Sequence, residues 1–499
     1  MSPLEIVIFL PIAAALAIWL GAPARPTSLF AALVNLVIIA GIAFRFDGSS
    51  LGVGEFTHVS SRIVLDNPAI SFAVGIDGMS LILALLTAIV TLAAVWQIVA
   101  EKSAPFHIAS LLISAGAMGA FLTTDLFFIY AFHELALIPT FLMIALHGHG
   151  DPANRRAVAW KTTIYLGVGS LVLLAGLAAL VLNFSEGPVI SFDLTSLLQQ
   201  TSSVPAATQE WIYFTLLIGF GTLVSLFPFH SWAAPAYATA PTSVAMLHAG
   251  VLKKFGLYGL LRIAQPLLPL GVQAEWVQNA LLMMLLGNIL VMGLVTLHQS
   301  RLDDMLANSS VMHMGYIFLG LAAGTELALK GAVMLMFAHG VSIALSFALC
   351  GRMRNQVGTL EFSKLGGLAT NAPLLTVLFG FAAFASIGLP GLANFAGEIM
   401  IFAGTFDPKL LSPEKLSSLQ WTTILALWGV VISAVYMLRA YRKLFFGTAN
   451  SGHYLRDPGF SQRVPLVLLA AVLLVVGCCP SMLLGLIQSA WAAAKVAGL

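Results

Sequence analysis

Ionisable side chains inside apolar segments are the residues of this sequence that could carry out chemistry. Glu398 stands in GLPGLANFAGEIMIF (Gly388–Phe402), just past a Gly-Leu-Pro-Gly break in a segment apolar enough to lie in lipid. A charged side chain at membrane depth costs roughly 2.5–3.5 kcal/mol, so such a group usually pairs, titrates or lines a water-filled path. The same question arises in other apolar segments for Glu134, Lys161, Lys254, His313 and His339.

Acids, bases and histidines in one set of apolar segments suggest a route for protons. Burial destabilises the charged form of Lys and of Glu, and moving one charge changes the proton affinity of the next group. A structural interpretation stays open for each residue. Glu134 or Lys254 could form a static ion pair between helices, and His313 or His339 could simply hydrogen-bond a neighbouring helix.

The composition indicates a polytopic membrane protein. Hydrophobic residues make up 59% of the 499 residues and charged residues only 9%, and apolar runs near the roughly 20 residues of a spanning helix recur throughout. The net charge of +2 provides no basic field for nucleic acid. The three cysteines form no CxxC pair, and no GxGxxG fingerprint followed by an acidic residue is found, so we expect no metal, iron–sulfur or nucleotide cofactor in this chain.

The elements that must position the charged residues are transmembrane helices, some of them broken. We predict an all-α polytopic membrane protein with about 14 transmembrane helices. Two segments are predicted to be broken helices, because proline removes a backbone donor and displaces the preceding turn. One is Ser225–Ser243, with Pro228, Pro235 and Pro241, and the other is Ser386–Glu398. Broken helices in corresponding halves often mark an ion site at mid-membrane.

The spacing of the two breaks predicts an internal repeat. They lie about 160 residues apart, which fits two five-helix units, each with its break in the fourth helix. An odd number of helices would invert one unit relative to the other. We therefore predict N-terminal helices 1–3 in residues 1–104, a first repeat (helices 4–8) in 105–265, a second repeat (helices 9–13) in 266–447 and a C-terminal helix 14 in 448–499.

The distribution of positive charge predicts the orientation. Most Lys and Arg residues of the connections fall in the odd-numbered ones, which the positive-inside bias places in the cytoplasm. Both termini would then lie on the outer side. The long connections Arg45–Asp77 and Phe184–Glu210 would be external caps.

Eight motifs in a fixed order carry a family resemblance. The motifs are GIDGMSL (Gly75–Leu81), DLFFIYAFHELALIP (Asp125–Pro139), the helix of Lys161 and Tyr165, FPFHSWAAPAYATAPTS (Phe227–Ser243), AGVLKKFGLYGLLR (Ala249–Arg262), SSVMHMGYIFLG (Ser309–Gly320), FAHGVS (Phe337–Ser342) and GLPGLANFAGE (Gly388–Glu398). With these motifs the chain resembles the antiporter-like membrane subunits of respiratory complex I, the proton-pumping NADH:quinone oxidoreductase, and is most similar to its M-type subunits. Sibling subunits and cation/proton antiporters typically carry Lys in place of Glu398.

The resemblance implies one half-channel per repeat, joined by a charged axis across the middle of the membrane. Glu134 would be the carboxylate that responds to the neighbouring subunit, and Lys254 would be the central lysine. His313 and His339 would continue the axis, and Glu398 would end it at the exit side. Because Lys253 and Lys254 are adjacent, about 100° apart on a helix, we expect Lys253 to snorkel or to pair elsewhere.

Two departures from the family pattern concern the charges around the axis. Leu223 stands where the family usually has a lysine on the seventh helix, so the usual partner of Glu134 is missing. His133, Lys161, Lys253 or His248 could substitute, and we expect Lys161 to be the partner. Asp303 and Asp304 replace the usual basic residues before the tenth helix.

The sequence therefore predicts a proton-translocating membrane subunit of a complex I-type NADH:quinone oxidoreductase, with Glu134, Lys161, Lys254, His313, His339 and Glu398 as its proton-carrying residues. Its partners would be the lipid bilayer and other membrane subunits, including sibling antiporter-like ones, while other chains handle NADH and quinone. We expect the bacterial plasma membrane as its location. The alternatives are a subunit of a multisubunit cation/proton antiporter or membrane-bound hydrogenase, and a structural scaffold with vestigial charges.

Overall fold

Helices dominate the chain. The computed structural model describes residues 1–47, 55–98, 103–184, 190–199, 204–410, 415–448 and 455–491. The helices and strands are, in chain order, α1 (Pro3–Trp19), α2 (Ala24–Arg45), β1 (Thr57–Leu65), β2 (Ile70–Ile76), α3 (Gly78–Gln97), α4 (Ser103–Leu122), α5 (Leu126–His147), α6 (Pro152–Phe184), α7 (Leu194–Leu198), α8 (Ala206–Val224), α9 (Ala233–Thr239), α10 (Thr242–Leu267), α11 (Glu275–Leu297), α12 (Leu302–Ala323), α13 (Glu326–Val357), α14 (Pro373–Ile387), α15 (Ala393–Thr405), α16 (Ser418–Phe445), α17 (Phe460–Cys478) and α18 (Ser481–Trp491). Short helical turns lie at Pro269–Gln273, Leu368–Thr370 and Pro408–Leu410.

The predicted number of membrane spans is confirmed. Within the described residues, 11 helices are long and apolar enough to cross a membrane. The shorter apolar helix α1 and the two interrupted spans, α8 with α9 and α14 with α15, bring the number to about fourteen. Helices α3, α10, α12 and α13 are almost completely buried and form the centre of the bundle, whereas α2, α6, α16 and α17 expose much of their surface.

Both predicted breaks are present, and side chains satisfy the backbone groups that they free. The first break follows Val224, where Ser225 adopts a left-handed conformation with φ of +73°. Asn288 on α11 accepts a hydrogen bond from the Phe227 amide (2.7 Å) and donates to the Ser225 carbonyl (3.0 Å). The second break follows Ile387, where Gly388 has φ of +80°. Irregular backbone at membrane depth is tolerated only with such internal partners.

A two-stranded hairpin in the first long connection is the one departure from an all-helical fold among the described residues. Strands β1 and β2 pair antiparallel, and the Ser71 amide of β2 donates to Asp125, the residue that caps the start of α5 (2.9 Å). Arg62 of β1 forms an ion pair with the buried Glu5 (3.1 Å). The β-branched run around Ile63 and Val64 was a signal for this hairpin that helix periodicity does not reveal.

Helix α10 holds two lysines in the centre of the bundle, and its backbone is irregular there. It contains two π-helical segments, His248–Leu252 and Leu260–Ala264. Such segments add a residue to a turn and so change which side chains share a face; they are frequent at functional sites. Lys253 follows the first segment directly, and Lys253 and Lys254 are both at most 1% exposed.

A buried ion pair joins the start of α3 to α10. The Arg262 guanidinium contacts the Asp77 carboxylate, and both side chains are less than a tenth exposed. Asp77 also caps α3 by accepting a hydrogen bond from the Ser80 amide (2.9 Å). Arg262 lies over the rings of Phe56 (5.2 Å) and Tyr258 (5.7 Å). This pair fixes α3 against the helix that carries the central lysines.

Candidate functional site: a buried axis of titratable side chains

Lys254, His339 and His313 meet at the centre of the bundle, and we call these three residues the axis cluster. The Lys254 ammonium donates to the Ala249 carbonyl (2.7 Å) and lies 3.0 Å from His339 Nδ1. The rings of His339 and His313 are 5.7 Å apart between centroids. All three side chains are at most 3% exposed. The structure thus brings together three of the six candidate residues, contributed by three different helices.

His313 has an acceptor at each ring nitrogen. Nδ1 is 2.8 Å from the Ser309 carbonyl, and Nε2 is 2.8 Å from the Ser386 carbonyl at the end of α14. A carbonyl oxygen only accepts, and a neutral imidazole has a single N–H, so two such contacts are fully satisfied by the imidazolium form. Through Ser386, His313 contacts the end of α14 directly, next to the break between α14 and α15. The arrangement suits a group that holds a proton in transit.

Glu398 lies beyond His313 against the same break. Its side chain is 4% exposed, and Oε1 has no hydrogen-bond partner within the described part of the chain. A Cβ added to Gly388 would come within 2.1 Å of Glu398 Oε2. The positive φ favours glycine at position 388, and a side chain there would displace the Glu398 carboxylate from its place beside the break. The break in the helix creates the space in which Glu398 is held.

Two tyrosines and a serine connect the region of His313 with that of Glu398. The Ser309 hydroxyl is 2.7 Å from the Tyr436 hydroxyl and 3.4 Å from His313 Nδ1. Tyr316 packs edge-on against His313, and both tyrosine hydroxyls are within electrostatic range of Glu398. The sequence alone did not predict a role for Ser309, Tyr316 or Tyr436. The four-residue spacing of Ser309 and His313 was a usable signal, but nothing in the sequence indicates that Tyr436, more than a hundred residues away, joins them.

Glu134 lies apart from the axis cluster, on a side of the molecule that is open within this single chain. Its side chain is 35% exposed. Glu134 Oε1 accepts a hydrogen bond from the Ser170 hydroxyl of α6 and lies 3.3 Å from His133 Nδ1. Leu223, at the position of the expected family lysine, is a buried apolar residue of α8.

The expected pairing of Glu134 with Lys161 is absent from this chain. Lys161 is exposed on α6 and forms no ion pair with any described residue. It precedes Ser170, which contacts Glu134, by nine residues, or about 13 Å along the helix, beyond the reach of a lysine side chain. His133 and Ser170 take the place that the sequence analysis assigned to Lys161.

Lys253 does not snorkel to the membrane surface. Its ammonium donates to the carbonyl (2.8 Å) and the hydroxyl (2.9 Å) of Ser310 on α12. It also lies 5.2 Å from the centre of the Tyr237 ring. Lys253 therefore pairs elsewhere, as expected. Its partner is Ser310, which is adjacent to Ser309 and one turn from His313.

Asp303 forms a charged cluster at the start of α12. Its Oδ2 accepts from Arg301 (2.8 Å) and from Arg354 of α13 (2.9 Å). The acidic residue that departs from the family pattern is thus paired with two arginines and joins the ends of α12 and α13.

A cavity of about 920 Å³ opens at the junction of α9 and α10, lined by residues that include Gln97, His147, Thr242, Ser243 and Arg352.

A family model and proteins of known families match this chain. The family model described as the transmembrane region of NADH:quinone oxidoreductase and Mrp antiporters matches residues 123–412, a range that contains all six candidate residues. The NADH-quinone oxidoreductase subunit M of Pseudomonas aeruginosa is 33% identical over 451 residues, covering 89% of this chain and 86% of that protein. The chain belongs to this family.

Two further proteins are similar to this chain over most of its length. The F(420)H(2) dehydrogenase subunit M of Methanosarcina mazei is 34% identical over 447 residues, covering 87% of this chain and 86% of that protein. A chain of the structure titled respiratory complex I from Thermus thermophilus with bound NADH matches with a TM-score of 0.87 at 28% identity, covering 99% of each chain. The family resemblance predicted from the eight motifs is confirmed over nearly the whole length.

Proposed function

We propose that this chain is a proton-translocating membrane subunit of a complex I-type NADH:quinone oxidoreductase. The observation that carries the proposal is the contact of Lys254 with His339, continued by His313 to the break that holds Glu398. Each of these groups can gain or lose a proton, and the occupancy of one changes the proton affinity of the next. Electron transfer in partner subunits would drive these changes.

In the proposed assembly, sibling antiporter-like subunits flank this chain in a bacterial plasma membrane, and both termini lie on the outer side. Residues 105–265 and 266–447 act as two inverted repeats, each with one half-channel. Lys161 and Glu134 lie on surface that is open in the single chain, so we assign them to the contact with a neighbouring subunit. The cavity beside Thr242 and Ser243 supports proton uptake from the aqueous side next to α10.

The second candidate is a subunit of a cation/proton antiporter, because the family description includes Mrp antiporters. Glu398 favours the oxidoreductase, since it stands where antiporter relatives typically carry Lys. The two candidates differ in their driving force. Proton movement that stops when the electron donor is withheld supports the oxidoreductase, whereas sodium-dependent proton exchange by vesicles without any electron donor supports the antiporter.

Lys254→Met tests the proposed proton path in the intact complex. We expect proton pumping in proteoliposomes to fall about five-fold or more, because the methionine fills the space but cannot carry a proton. Lys364→Met, in an exposed loop, is the matched control and should pump normally. Equal pumping by both variants would contradict a proton-carrying role for Lys254.

The isolated chain should catalyse neither NADH oxidation nor quinone reduction. It contains no recognisable nucleotide fingerprint or iron–sulfur cysteine set, and redox chemistry requires such cofactors. The measurement is NADH oxidation with a quinone acceptor by the purified chain in detergent and in vesicles, with the intact complex as the positive control. NADH oxidation by the purified chain would contradict the proposal that other subunits carry out the redox chemistry.

A further inference from the structure

Lys253 is a buried cation that the axis cluster does not use. Its side chain is 1% exposed, and it forms no ion pair with any of the described residues. Its hydrogen bonds go to the neutral Ser310 alone. A lysine in this environment is costly, and a neutral side chain such as glutamine could equally donate to a serine carbonyl. The charge of Lys253 therefore requires an explanation beyond packing.

Two histidines lie between Lys253 and Glu134. His133 contacts Glu134 (3.3 Å) and stacks on Phe255 of α10 with 4.0 Å between ring centroids. His248 is within electrostatic range of both His133 and Lys253. Its ring packs against Tyr237 (5.3 Å), the same ring that lies beneath the Lys253 ammonium (5.2 Å). Both histidines are at most 3% exposed.

Lys253 in turn is close to the axis cluster. It is within electrostatic range of Lys254, His313 and His339. Its hydrogen-bond partner Ser310 lies on α12 beside the turn that carries His313. The titratable and charged groups that face Lys253 are therefore bases: Lys254, His248, His313 and His339. Glu134 reaches this set by way of His133, which contacts Glu134 and is within electrostatic range of His248.

We propose that His133, His248 and Lys253 form a lateral branch that transmits the charge state of Glu134 to the axis cluster. The proposal rests on the proton-translocating function proposed above. When Glu134 is ionised, its negative charge stabilises positive charge on the branch. When a neighbouring subunit neutralises Glu134, this stabilisation is lost, and the positive charge of the branch lowers the proton affinity of the axis cluster. The branch replaces the connection through α8, where Leu223 carries no charge.

Lys253→Gln separates a charge role from a packing role. Glutamine keeps a hydrogen-bond donor for Ser310 and removes the charge. We expect proton pumping by the assembled complex to fall about five-fold or more while complex assembly and electron transfer to artificial acceptors are kept. Lys364→Gln is the matched control. Normal pumping by Lys253→Gln would overturn the branch and leave Lys253 a packing residue.

The coupling between the ends of the branch gives the second test. The double variant Glu134→Gln with Lys253→Gln should pump little worse than either single variant, because both changes interrupt the same connection. Losses that multiply would overturn the proposal. Should Lys253→Gln fail to assemble, His248→Gln interrupts the branch at another helix position and is expected to show the same loss.

The outcome also distinguishes failure of the branch from failure of the proposed function. If Lys254→Met loses pumping and the Lys253 and His248 variants do not, the axis cluster stands and the branch is wrong. If Lys254→Met also pumps normally in an assembled complex, the proposed function itself is wrong. Rescue by Lys253→Arg, which keeps a fixed positive charge, would show that Lys253 acts by its charge and need not release a proton.

Discussion

Glu398→Gln is expected to abolish most proton pumping while the complex still assembles. Glutamine preserves the size and planarity of the side chain that packs against Gly388, so the break between α14 and α15 should stay intact. It removes the group that accepts the proton beyond His313. Because a positioned proton-transfer group typically contributes about 10²–10⁴-fold, we expect pumping to fall at least about tenfold. The measurement is acidification of the proteoliposome interior after the electron donor is added.

Two variants make the Glu398 result specific. Glu361→Gln removes an exposed carboxylate that pairs with Lys364 at the surface, and it should leave pumping unchanged. Glu398→Lys keeps a titratable group and should be partly active, provided that the longer side chain fits beside Gly388. Pumping at the normal rate in Glu398→Gln would make Glu398 a packing residue and would exclude it from the proton path.

Asp77→Asn should destabilise the fold more than any surface substitution. Arg262 would be left as an unpaired charge in a site where it is less than a tenth exposed. Breaking a buried pair by removing one partner costs about 3–5 kcal/mol. Asparagine still caps a helix start, so the loss of the α3 cap is not the cause. We expect a lower thermal unfolding temperature of the complex and a lower yield of assembled complex.

The double variant Asp77→Asn with Arg262→Met identifies the cause of that loss. It removes both charges and keeps the cap, so it should recover a large part of the stability, as buried pairs often tolerate joint apolar replacement. For comparison, Lys364→Gln breaks an exposed pair and should leave the unfolding temperature nearly unchanged. A double variant as unstable as Asp77→Asn would show that the pair is not the source of the effect.

The class of the protein and the order of its helices could be predicted from the amino acids alone. Apolar length identifies membrane spans because every backbone polar group in lipid must be satisfied within the segment, which only helices achieve locally. Proline and glycine likewise marked both breaks at Pro228 and Gly388, since their effects on the backbone act within one turn. The carboxylate Glu398 was visible for the same reason, because a charged residue stands out in an apolar run before any of its spatial neighbours are known.

The partners of the charged residues depended on the folded chain. Lys161 was the reasonable partner for Glu134 by charge, yet His133 and Ser170 hold that carboxylate because of the rotation and depth at which α5 and α6 meet. Lys253 was expected to snorkel or to pair elsewhere, and the π-helical segment before it and the complete burial of α10 decide that its partner is Ser310.

The physical difference is one of range. Hydropathy and backbone preference are properties of a few consecutive residues, so the sequence contains them directly. A contact such as that of Lys254 with His339 joins positions 85 residues apart and depends on how two helices rotate and pack against all of their neighbours. The sequence therefore indicated which groups could carry protons, and the packing of α10, α12 and α13 established which of them are close enough to exchange charge.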